Sequence, residues 1–550
     1  MTVHEVIPKA LSQAARRIHV SLEGVPFTFG KAPRPNFGDY STNLALLAAK
    51  QLGESPREVA ERLVAALELP PGLVRKIEIA GPGFINFFLV EAQLAAVLPA
   101  ILAAGQRYGR RDTGGGRGTK VNVEFVSANP TGPLHVGHGR GAALGDVIAA
   151  LLQWTGYEVT REFYVNDAGT QIDKLARSLW ARVQQAVGRA AEIPEGGYHG
   201  QYLVELAEAV LAREGRGFAD LPEDEGVRRC RTIAVQSQRA EQDEDLREFG
   251  VRFDVVHFES ELYGRKLIEQ TLADLAKRGY TYEKEGALWL RTTDFGDDKD
   301  RVLRKSDGTY TYLLPDIAYH RNKHDRGFAK AIDVWGADHH GYLPRMRAAI
   351  QALGYPPDFL HVEIVQLVRV MRGGDEVRFS KRTGEFVTLR DLFEETGVDA
   401  ARYFFLMRRA DSQFIFDVDL AKSQTEENPV FYVQMAHARM SGIFRVAARD
   451  PQSVSAADVD LSVLVEPEEV DLMKRLAEFP NVVEGAAHAL EPHRVTGYLE
   501  DLARAAHGWY HKYRVLGEPQ EAARLVLAAA VRQVLANGLR LLGITAPDRM

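Results

Sequence analysis

The chain has 550 residues, of which 45% are hydrophobic and 26% are charged, and its formal net charge is −7 at pH 7. This composition is that of a folded protein of two to four domains. The single cysteine, Cys230, excludes an intramolecular disulfide and a thiolate metal cluster, so we expect no protein-bound zinc and a reducing, cytoplasmic location. No uncharged run is long enough to cross a bilayer, and the net acidity argues against indiscriminate nucleic-acid binding without excluding a local basic surface.

The first part of the chain predicts an α+β domain followed by the start of a parallel sheet. Residues 1–110 form the α+β unit, which ends before a Gly-rich linker at 110–118. A strand at 121–126, an apolar-periodic helix at 141–154 and a strand at 158–165 come next. This order describes a parallel βαβ unit and therefore the start of a doubly wound sheet.

The rest of the chain predicts an insertion, the return of the sheet and a helical domain. Residues from about 170 to 250 are rich in helix formers and charge and interrupt the sheet pattern. The pattern resumes as a strand, a helix and a strand, at 331–335, 343–353 and 362–370. Strand signals fade beyond about 385. The predicted fold is a multidomain α/β protein with a Rossmann-like parallel-sheet core over 111–400, an α+β N-terminal domain before it, and an all-α bundle over 401–550.

The loop between the first predicted strand and its helix, residues 129–140, contains two glycines, Gly137 and Gly139, and two histidines, His135 and His138. It lies at the carboxyl end of a sheet strand, where doubly wound folds bind ligands. Glycines let a nucleotide approach the backbone closely, and a helix N-terminus offers unpaired N–H groups to phosphates. Because the histidines share one helical face, both can point at one anion and stabilise charge that grows on it.

Two other interpretations of the histidine pair stay open when the loop is judged alone. A metal-binding pair is one, but no cysteine or carboxylate follows at zinc-ligand spacing. A structural loop with two incidental histidines is the other. Further motifs along the chain weigh against both interpretations.

These motifs resemble the signatures of class I aminoacyl-tRNA synthetases. His135-Val-Gly-His138 is similar to the first signature, and Arg378-Phe-Ser-Lys381 is similar to the second, with an arginine in place of the usual first lysine. Residues 335–340 lie between them, where that family places groups around the adenosine. The catalytic residues that the resemblance implies are His135, His138, Ser380 and Lys381. The implied ATP-binding residues are Pro133, Gly137, Gly139, Gly336, Asp338, His339, Arg378 and Lys381.

Acidic residues near these signatures indicate a cationic substrate. A guanidinium presents five donors and keeps its charge, so a discriminating pocket needs carboxylates shielded from water. Glu124, Glu259 and Asp316 are candidates, although each has an ordinary alternative as a surface or salt-bridged acid. The segment from Glu124 to Asn129, and Tyr312 four positions before Asp316, resemble those of arginyl-tRNA synthetases. The implied arginine-binding residues are Glu124, Ser127, Asn129, His135, Glu259, Tyr312, Asp316 and His339.

The resemblance to arginyl-tRNA synthetases extends to both ends of the chain. Residues 37–40 and 83–87 are similar to that family's N-terminal domain, which contacts the outer corner of the tRNA, and residues 428–439 and 546–550 to its helical anticodon-binding domain. Aromatic residues in these regions offer flat faces to unpaired bases, although core aromatics are the ordinary alternative. The implied tRNA-binding residues are Phe84, Asn86, Arg408, Tyr432, Arg439, Trp509, Tyr510 and Met550.

The activity that the resemblance implies is the attachment of L-arginine to tRNA(Arg) in two steps, with no protein nucleophile. ATP with Mg2+, L-arginine and tRNA(Arg) are the expected partners, with no membrane, and we expect a monomer. A synthetase for another amino acid and a nucleotidylyltransferase on the same sheet are alternatives within the enzymes. An RNA-binding paralogue without catalysis is the alternative from another class.

The histidine loop leads to a first prediction. His138→Ala should lower the rate of adenylate formation by a factor on the order of 100 or more, because a preorganised donor at a developing charge is worth roughly 3 kcal/mol. ATP–pyrophosphate exchange measures this rate, and arginine affinity should change little. An unchanged rate in a folded variant would show that the loop has no catalytic part.

Overall fold

The computed structural model describes residues 3–22, 27–32, 37–90, 94–111, 117–167, 169–377 and 387–550. Within these residues the strands form four sheets, of five, four, three and three strands. The five-stranded sheet is parallel and lies in the central domain, and its carboxyl edge holds the candidate site.

The N-terminal domain is an antiparallel sheet covered by helices. Its strands pair in the order β1-β2-β4-β3. They are β1 (Phe29–Lys31), β2 (Tyr40–Thr42), β3 (Val74–Ala80) and β4 (Phe84–Leu89). The helices are α1 (Val3–Arg17), α2 (Leu44–Leu52), α3 (Pro56–Ala66) and, leading to the next domain, α4 (Val97–Ala104). The sequence sets the start of α3, because Ser55 and Glu58 form a capping box and Pro56 takes the first position.

The central domain is built on a parallel sheet in the order β12-β11-β5-β6-β7. Its strands are β5 (Lys120–Glu124), β6 (Glu158–Val165), β7 (Val255–Phe258), β11 (Lys330–Gly336) and β12 (Leu360–Val365). The chain runs outward from β5 to β7 and then returns to β11 on the other side of β5. The strand order therefore reverses between β5 and β11, where doubly wound folds bind ligands.

The helix that links β5 to β6, α5 (Val136–Trp154), is buried along most of its length. It packs on the sheet and is covered on its other side by C-terminal helices, so apolar residues on all its faces are satisfied. A Cβ on Gly145 would lie 2.2 Å from Cγ of Phe125, so glycine is needed where the helix crosses the end of β5.

Two groups of elements are inserted between the strands of the central sheet. The first is a three-helix unit with its own apolar core, α6 (Thr170–Ala186), α7 (Gln201–Glu214) and α8 (Glu223–Glu248). The second lies between β7 and β11 and comprises α9 (Glu259–Gly264), α10 (Leu267–Lys277), β8 (Thr281–Lys284), β9 (Ala287–Leu290), β10 (Arg301–Arg304) and α11 (Leu313–Asp325). After β11, α12 (Leu343–Ala352) leads to β12.

The C-terminal part is mostly helical, with a small sheet at its start. The sheet has the order β14-β13-β15, with β13 (Val368–Arg372), β14 (Asp375–Glu376) and β15 (Phe414–Asp417). The helices are α13 (Leu389–Thr396), α14 (Val398–Leu406), α15 (Val418–Lys422), α16 (Pro429–Val446), α17 (Pro467–Ala489), α18 (His493–Lys512) and α19 (Glu521–Leu541). Of the described helices, α19 alone has the length and apolar composition of a membrane span, and 78% of its apolar window is buried inside the protein. It is thus a core helix, packed on α4, α16, α17 and α18.

The predicted fold class is confirmed, while several element boundaries are wrong. The first helix of the central domain begins at Val136 rather than at 141, inside the histidine loop. The strand predicted at 362–370 is two strands, because the chain leaves the parallel sheet after Val365 and β13 pairs with β15 instead. Strand β15 itself lies in a region where we predict only helices. Pairing between distant segments decides the two strand features, whereas a side-chain cap decides the start of the helix.

A buried arginine joins the central and C-terminal domains. Arg402 on α14 is fully buried, and its guanidinium donates to the carbonyls of Phe249 (3.0 Å) and Leu542 (3.0 Å) and to Asp146 Oδ2 (2.7 Å). Asp146 is on α5, so the contact ties the helix behind the histidine loop to the end of the chain. A buried guanidinium stabilises a protein only when all its hydrogen-bond partners are present, because loss of one leaves buried polar groups unpaired.

Arg402→Met should therefore destabilise the protein by about 2–5 kcal/mol, because it leaves the buried carbonyls of Phe249 and Leu542 without a donor and removes one of the two arginines that contact Asp146. Urea unfolding followed by tryptophan fluorescence measures the loss. Arg57→Met is the control, since the Arg57 side chain is 62% exposed and lies 3.7 Å from Glu61. The interpretation fails if the two variants unfold at the same urea concentration.

Candidate active site

Helix α5 begins with a cap made by a histidine side chain. His135 precedes the helix, and its Nδ1 accepts from the N–H groups of Gly137 (3.1 Å) and His138 (3.3 Å). His138 Nδ1 in turn accepts from the His135 N–H at 3.3 Å. The N–H groups of Val136 and Gly139 bond to backbone carbonyls. The prediction that this helix offers unpaired N–H groups to phosphate is therefore wrong, since the first turn is already satisfied.

The two histidine rings form a stacked, neutral pair. Their centroids are 3.7 Å apart and their planes differ by 19°. Because each Nδ1 accepts a backbone hydrogen bond, each ring is the tautomer with its proton on Nε2. Burial and the neighbouring His135 lower the pKa of His138 to about 3, and burial lowers the pKa of His135 against the charge of Asp338. The pair thus has two neutral N–H donors on the ring edges turned away from the helix.

The inserted helices hold the loop that leads to α5. Gln242 Nε2 on α8 donates to the carbonyls of Asn129 (3.0 Å) and Gly132 (2.9 Å). Tyr202 OH on α7 donates to the Thr131 carbonyl at 2.6 Å. Three carbonyls of a loop without regular structure are satisfied in this way, which fixes the approach to the histidines.

Val387 and Leu389, which follow the second signature in sequence, contact the histidine loop. The Leu389 N–H bonds to the Leu134 carbonyl at 2.7 Å, and the Val136 N–H bonds to the Val387 carbonyl at 3.2 Å. The residues that follow the second signature are therefore joined to the first by backbone hydrogen bonds, although the bonded residues are about 250 positions apart in sequence. Residues 378–386 lie outside the described residues, so three predicted roles stay predictions, those of Arg378, Ser380 and Lys381.

The glycines of the first signature make room for protein groups. A Cβ on Gly137 would lie 2.9 Å from His135 Cε1, so glycine allows the histidine cap. A Cβ on Gly139 would lie 2.5 Å from Leu389 Cδ1, so glycine allows α13 to pack there. Pro133 is buried beside the loop. Contacts of these three residues with ATP stay a prediction.

Three buried carboxylates lie side by side on adjacent strands beneath the site. Asp333 on β11 and Glu162 on β6 are the register partners of Glu124 on β5, and we call these three the carboxylate row. Lys323 Nζ, fully buried on α11, contacts Glu124 at 2.5 Å and Asp333 at 2.8 Å. Arg326 Nη2 contacts Glu162 at 2.8 Å. Burial alone would raise the pKa of Asp333, but Lys323 and a nearby histidine lower it to about 2.

Both oxygens of Glu124 have protein partners. Lys323 contacts Oε2, and Ser127 Oγ donates to Oε1 at 2.8 Å. Ser127 Oγ also accepts from the Tyr164 N–H at 3.1 Å. Val126 and Ser127 have φ of 67° and 39°, a left-handed conformation that costs a β-branched residue energy. Glu124 and Ser127 thus hold a strained turn after β5, and their predicted arginine contacts stay predictions.

Asp316 and Glu259 have hydroxyl partners instead of cations. Tyr342 OH donates to Asp316 Oδ2 at 2.6 Å, and Tyr164 OH donates to Glu259 Oε2 at 3.0 Å. Neither acid forms an ion pair with a lysine or arginine among the described residues. Burial raises the pKa of Asp316 to about 7, despite the Tyr342 hydrogen bond, and the charges on Glu259 and Glu124 add to the effect. Burial also raises the pKa of Glu259. A ligand cation would relieve both groups.

The remaining predicted contacts for small substrates lie around the ends of β5 and β11. Tyr312 is 62% exposed at the start of α11. Asp338 and His339 are exposed just after β11, with side-chain atoms 3.4 Å apart. A Cβ on Gly336 would lie 2.5 Å from Asp338 Oδ1. Asn129 Nδ2 donates at 2.7 Å to a glutamine of α6. Their contacts with arginine or ATP stay predictions.

The predicted tRNA contacts divide by exposure. Phe84, Tyr510 and Met550 are 40%, 40% and 51% exposed, and Arg408 is also exposed. Trp509 is fully buried and Asn86 is 3% exposed. The prediction of direct RNA contact is wrong for Trp509 and Asn86, because α18 turns the indole into the helical core and β4 turns the amide into the N-terminal domain.

A cluster of aromatic and basic side chains spans α16 and α18 at the surface. Arg439 Nη1 donates to His507 Nδ1 at 2.7 Å and lies 3.3 Å from His511 Nε2. The Tyr432 ring centroid is 4.5 Å from that of His507, and the Arg439 guanidinium lies 6.0 Å from the Tyr510 ring centroid. We call these five residues the α16–α18 cluster. It combines a cation with partly exposed rings, which suits unpaired bases.

Sequence reasoning missed the residues that support the acids. They are Tyr342, which bonds to Asp316, and the pair His320 and Lys323 on α11. A signal exists, since polar residues at 316, 320 and 323 share one face of that helix. This pattern indicates a role in the site only when the packing of the helix over the carboxylate row is known.

Known families match the chain in three consecutive segments. "Arginyl tRNA synthetase N terminal domain" matches residues 1–89, "tRNA synthetases class I (R), catalytic domain" matches 97–440, and "DALR anticodon binding domain" matches 433–550. The parallel sheet, its histidine loop and the middle match together define a class I aminoacyl-tRNA synthetase.

Relatives and solved structures agree with this class. The chain is 52% identical to the arginine–tRNA ligase of Desulforudis audaxviator, over 96% of this chain and 94% of the relative, and 50% identical to that of Geobacillus thermodenitrificans, over 96% of each. The Thermus thermophilus arginyl-tRNA synthetase structure superposes with a TM-score of 0.76 at 25% identity, covering 98% of this chain and 99% of that one. The chain belongs to the arginyl-tRNA synthetase family.

The raised pKa of Asp316 predicts a pH dependence of arginine binding. A guanidinium requires the ionised carboxylate, so affinity should fall as the pH drops through about 7 and Asp316 is protonated. Below that pH the loss approaches about tenfold per pH unit, because each bound arginine must displace one proton. Calorimetry in buffers of different ionisation enthalpy measures both the affinity and the released proton.

The variant Tyr342→Phe gives the matched comparison. It removes the hydroxyl that favours the charged form of Asp316, so the fall in affinity should begin at a higher pH. Equal pH profiles for the parent protein and the variant, with no proton released, would show that another group controls binding.

Proposed function

We propose that this chain joins arginine to tRNA(Arg) by way of arginyl-adenylate and that the geometry described above performs the two steps. The observation that supports this best is the position of Asp316 and Glu259. They are two carboxylates without an ionic partner among the described residues, at the same sheet edge as a pair of neutral histidine donors. One end of the site suits a cationic side chain and the other suits phosphate.

Arginine lies with its guanidinium against Asp316, and Glu259 completes the acidic end of the pocket. Ionised carboxylates accept paired hydrogen bonds from a guanidinium. Tyr342 and Tyr164 hold the two acids in place through their hydroxyl groups. Tyr312 covers the open side. The arginine carboxylate then points toward the histidine loop.

ATP lies along the histidine loop with its adenosine toward Gly336, Asp338 and His339. His135 and His138 donate from Nε2 to the phosphates, and Lys381, Ser380 and Arg378 come from the loop that ends beside them. Mg2+ bound to the ATP would lower the net charge of the phosphates. Because the histidines are fixed by the helix cap, their Nε2 donors are positioned in advance for the charge that develops in the transition state.

The first step joins one arginine carboxylate oxygen to the α-phosphorus and breaks the bond to the leaving pyrophosphate. In the second step the terminal ribose hydroxyl of tRNA attacks the arginyl carbonyl carbon, and AMP leaves as its phosphate oxygen keeps the electron pair. The hydroxyl proton passes to that phosphate. The protein forms no covalent bond in either step, so its contribution is positioning and electrostatics.

The tRNA contacts the domains on either side of the sheet. Phe84 on the N-terminal domain, Arg408, and the α16–α18 cluster offer exposed rings and cations to its loops.

The proposed domains comprise residues 1–110, residues 111–400 with the insertion at about 170–250, and residues 401–550. The protein acts as a monomer in the cytoplasm. Aminoacylation of bulk tRNA with each amino acid in turn tests substrate and reaction together.

Asp316→Asn gives the sharpest test of the substrate. The amide keeps the shape but removes the charge that a guanidinium requires, and loss of one partner of a desolvated charge pair typically costs roughly 2–5 kcal/mol. Arginine should bind on the order of 30-fold to several thousand-fold more weakly, while ATP affinity stays within a few-fold. Calorimetry with arginine and with citrulline, which is neutral at the same length, measures the effect.

Citrulline should be discriminated against less strongly by this variant than by the parent protein. Asp307→Asn, a change in the exposed turn after β10, is the control and should leave both affinities unchanged. Equal losses for both ligands, or no loss, would mean that the carboxylate at 316 is structural.

A further inference from the structure

The carboxylate row contains more negative charge than lysine and arginine neutralise. Asp333 and Glu162 are fully buried and Glu124 is 8% exposed, so the row places three acids in a medium that disfavours charge. Lys323 and Arg326 supply two cations. Burial raises the pKa of Glu124 against the charge of Lys323. With all three acids ionised, one further positive charge makes the row neutral as a whole.

His320 is placed to supply that charge. Its Nδ1 lies 2.7 Å from the Asp316 backbone carbonyl, and its Nε2 lies 2.7 Å from Asp333 Oδ2. A carbonyl oxygen can only accept, so Nδ1 carries a proton. Asp333 also accepts from Lys323, which keeps it ionised, so Nε2 carries a proton as well. Because each ring nitrogen of His320 faces an acceptor, both nitrogens carry a proton and the ring is positively charged.

The groups around His320 agree with a charged ring. It faces Asp333 on β11 and Glu124 on β5, and from its own helix Asp316, Tyr319 and Lys323. Burial alone would lower the pKa of His320, but the charge and hydrogen bond of Asp333 raise it above its ordinary value. The repulsion from Lys323 is smaller than the attraction of Asp333.

We propose that His320 is held as an imidazolium, completes the neutralisation of the carboxylate row with Lys323 and Arg326, and so leaves Asp316 and Glu259 for the substrate. His320 is a positioning residue: its ring binds the Asp316 backbone, and its charge favours the ionised Asp316 carboxylate. The inference rests on the proposed function only for the identity of the ligand.

The protonation state is measured first, without any ligand. In the 15N-histidine-labelled parent protein, long-range 1H–15N spectra should show one ring with both nitrogens protonated at pH 8.5, where an ordinary histidine is neutral. The signal should be absent in His320→Gln, or in His320→Lys if the former does not fold. A neutral ring at position 320 would overturn the proposal.

The pH dependence of arginine affinity in a His320 variant separates an effect of the His320 charge from a purely structural effect. In His320→Gln the Asp316 carboxylate is protonated more readily, so arginine should bind about tenfold more weakly near pH 6.5, with the difference shrinking by pH 9, since one unit of pKa is a factor of ten. Citrulline affinity should stay within twofold at both values. An arginine loss of the same size at every pH would overturn the proposal.

Two variants complete the design. His320→Lys restores a cation and should return arginine affinity to within a few-fold of the parent protein. His324→Gln is the matched control one turn further along α11, where the side chain is 41% exposed and stacks on Tyr355. Failure of the parent protein to bind arginine would count against the proposed function, whereas the spectra decide the protonation of His320 independently.

Discussion

The parallel register of β5 with β11 sets the chemistry of the site, because it makes Glu124 and Asp333 direct neighbours inside the protein. Two carboxylates at that spacing repel each other and cannot both stay ionised without a cation between them. Lys323 provides it, and α11 must therefore cross both strands. The same helix holds Asp316 seven residues earlier, so the docking that neutralises the strands also places the acid at the carboxyl edge.

In the other half of the site, the hydrogen bonds of the helix cap decide which ring nitrogens of the two histidines carry protons. The histidine cap uses both Nδ1 atoms to satisfy the start of α5, which leaves the rings neutral with their protons on Nε2. Donors that are fixed in advance stabilise charge that develops on a phosphate without reorganisation. In the proposed function, the site thus has an acidic end for a cation and a hydrogen-bond donor end for an anion.

The sequence was sufficient for four of the five strands of the parallel sheet and for the position of the histidine loop, because alternating and helical periodicity are local signals and the loop lies between two of them. It did not predict β7, which has only four residues. It was insufficient where partners are distant in the chain. The break after Val365 depends on the pairing of β13 with β15, and the burial of Trp509 depends on which face of α18 the other helices cover. Helix α5 begins early because of a side-chain cap, for which histidine is an unusual residue.

We propose that selectivity for a guanidinium over an ammonium follows from how Asp316 and Glu259 are held. A lysine side chain carries as much charge as arginine, so charge alone cannot discriminate between them. Asp316 and Glu259 each accept from one tyrosine hydroxyl, which restricts the orientation of each carboxylate. A planar fork with five donors can meet two carboxylates of fixed orientation at once, whereas a single ammonium can approach both only by leaving one at a poor angle. Under the proposed function, the placement of the two acids by the tyrosine hydroxyls is thus the physical basis of the choice between arginine and lysine.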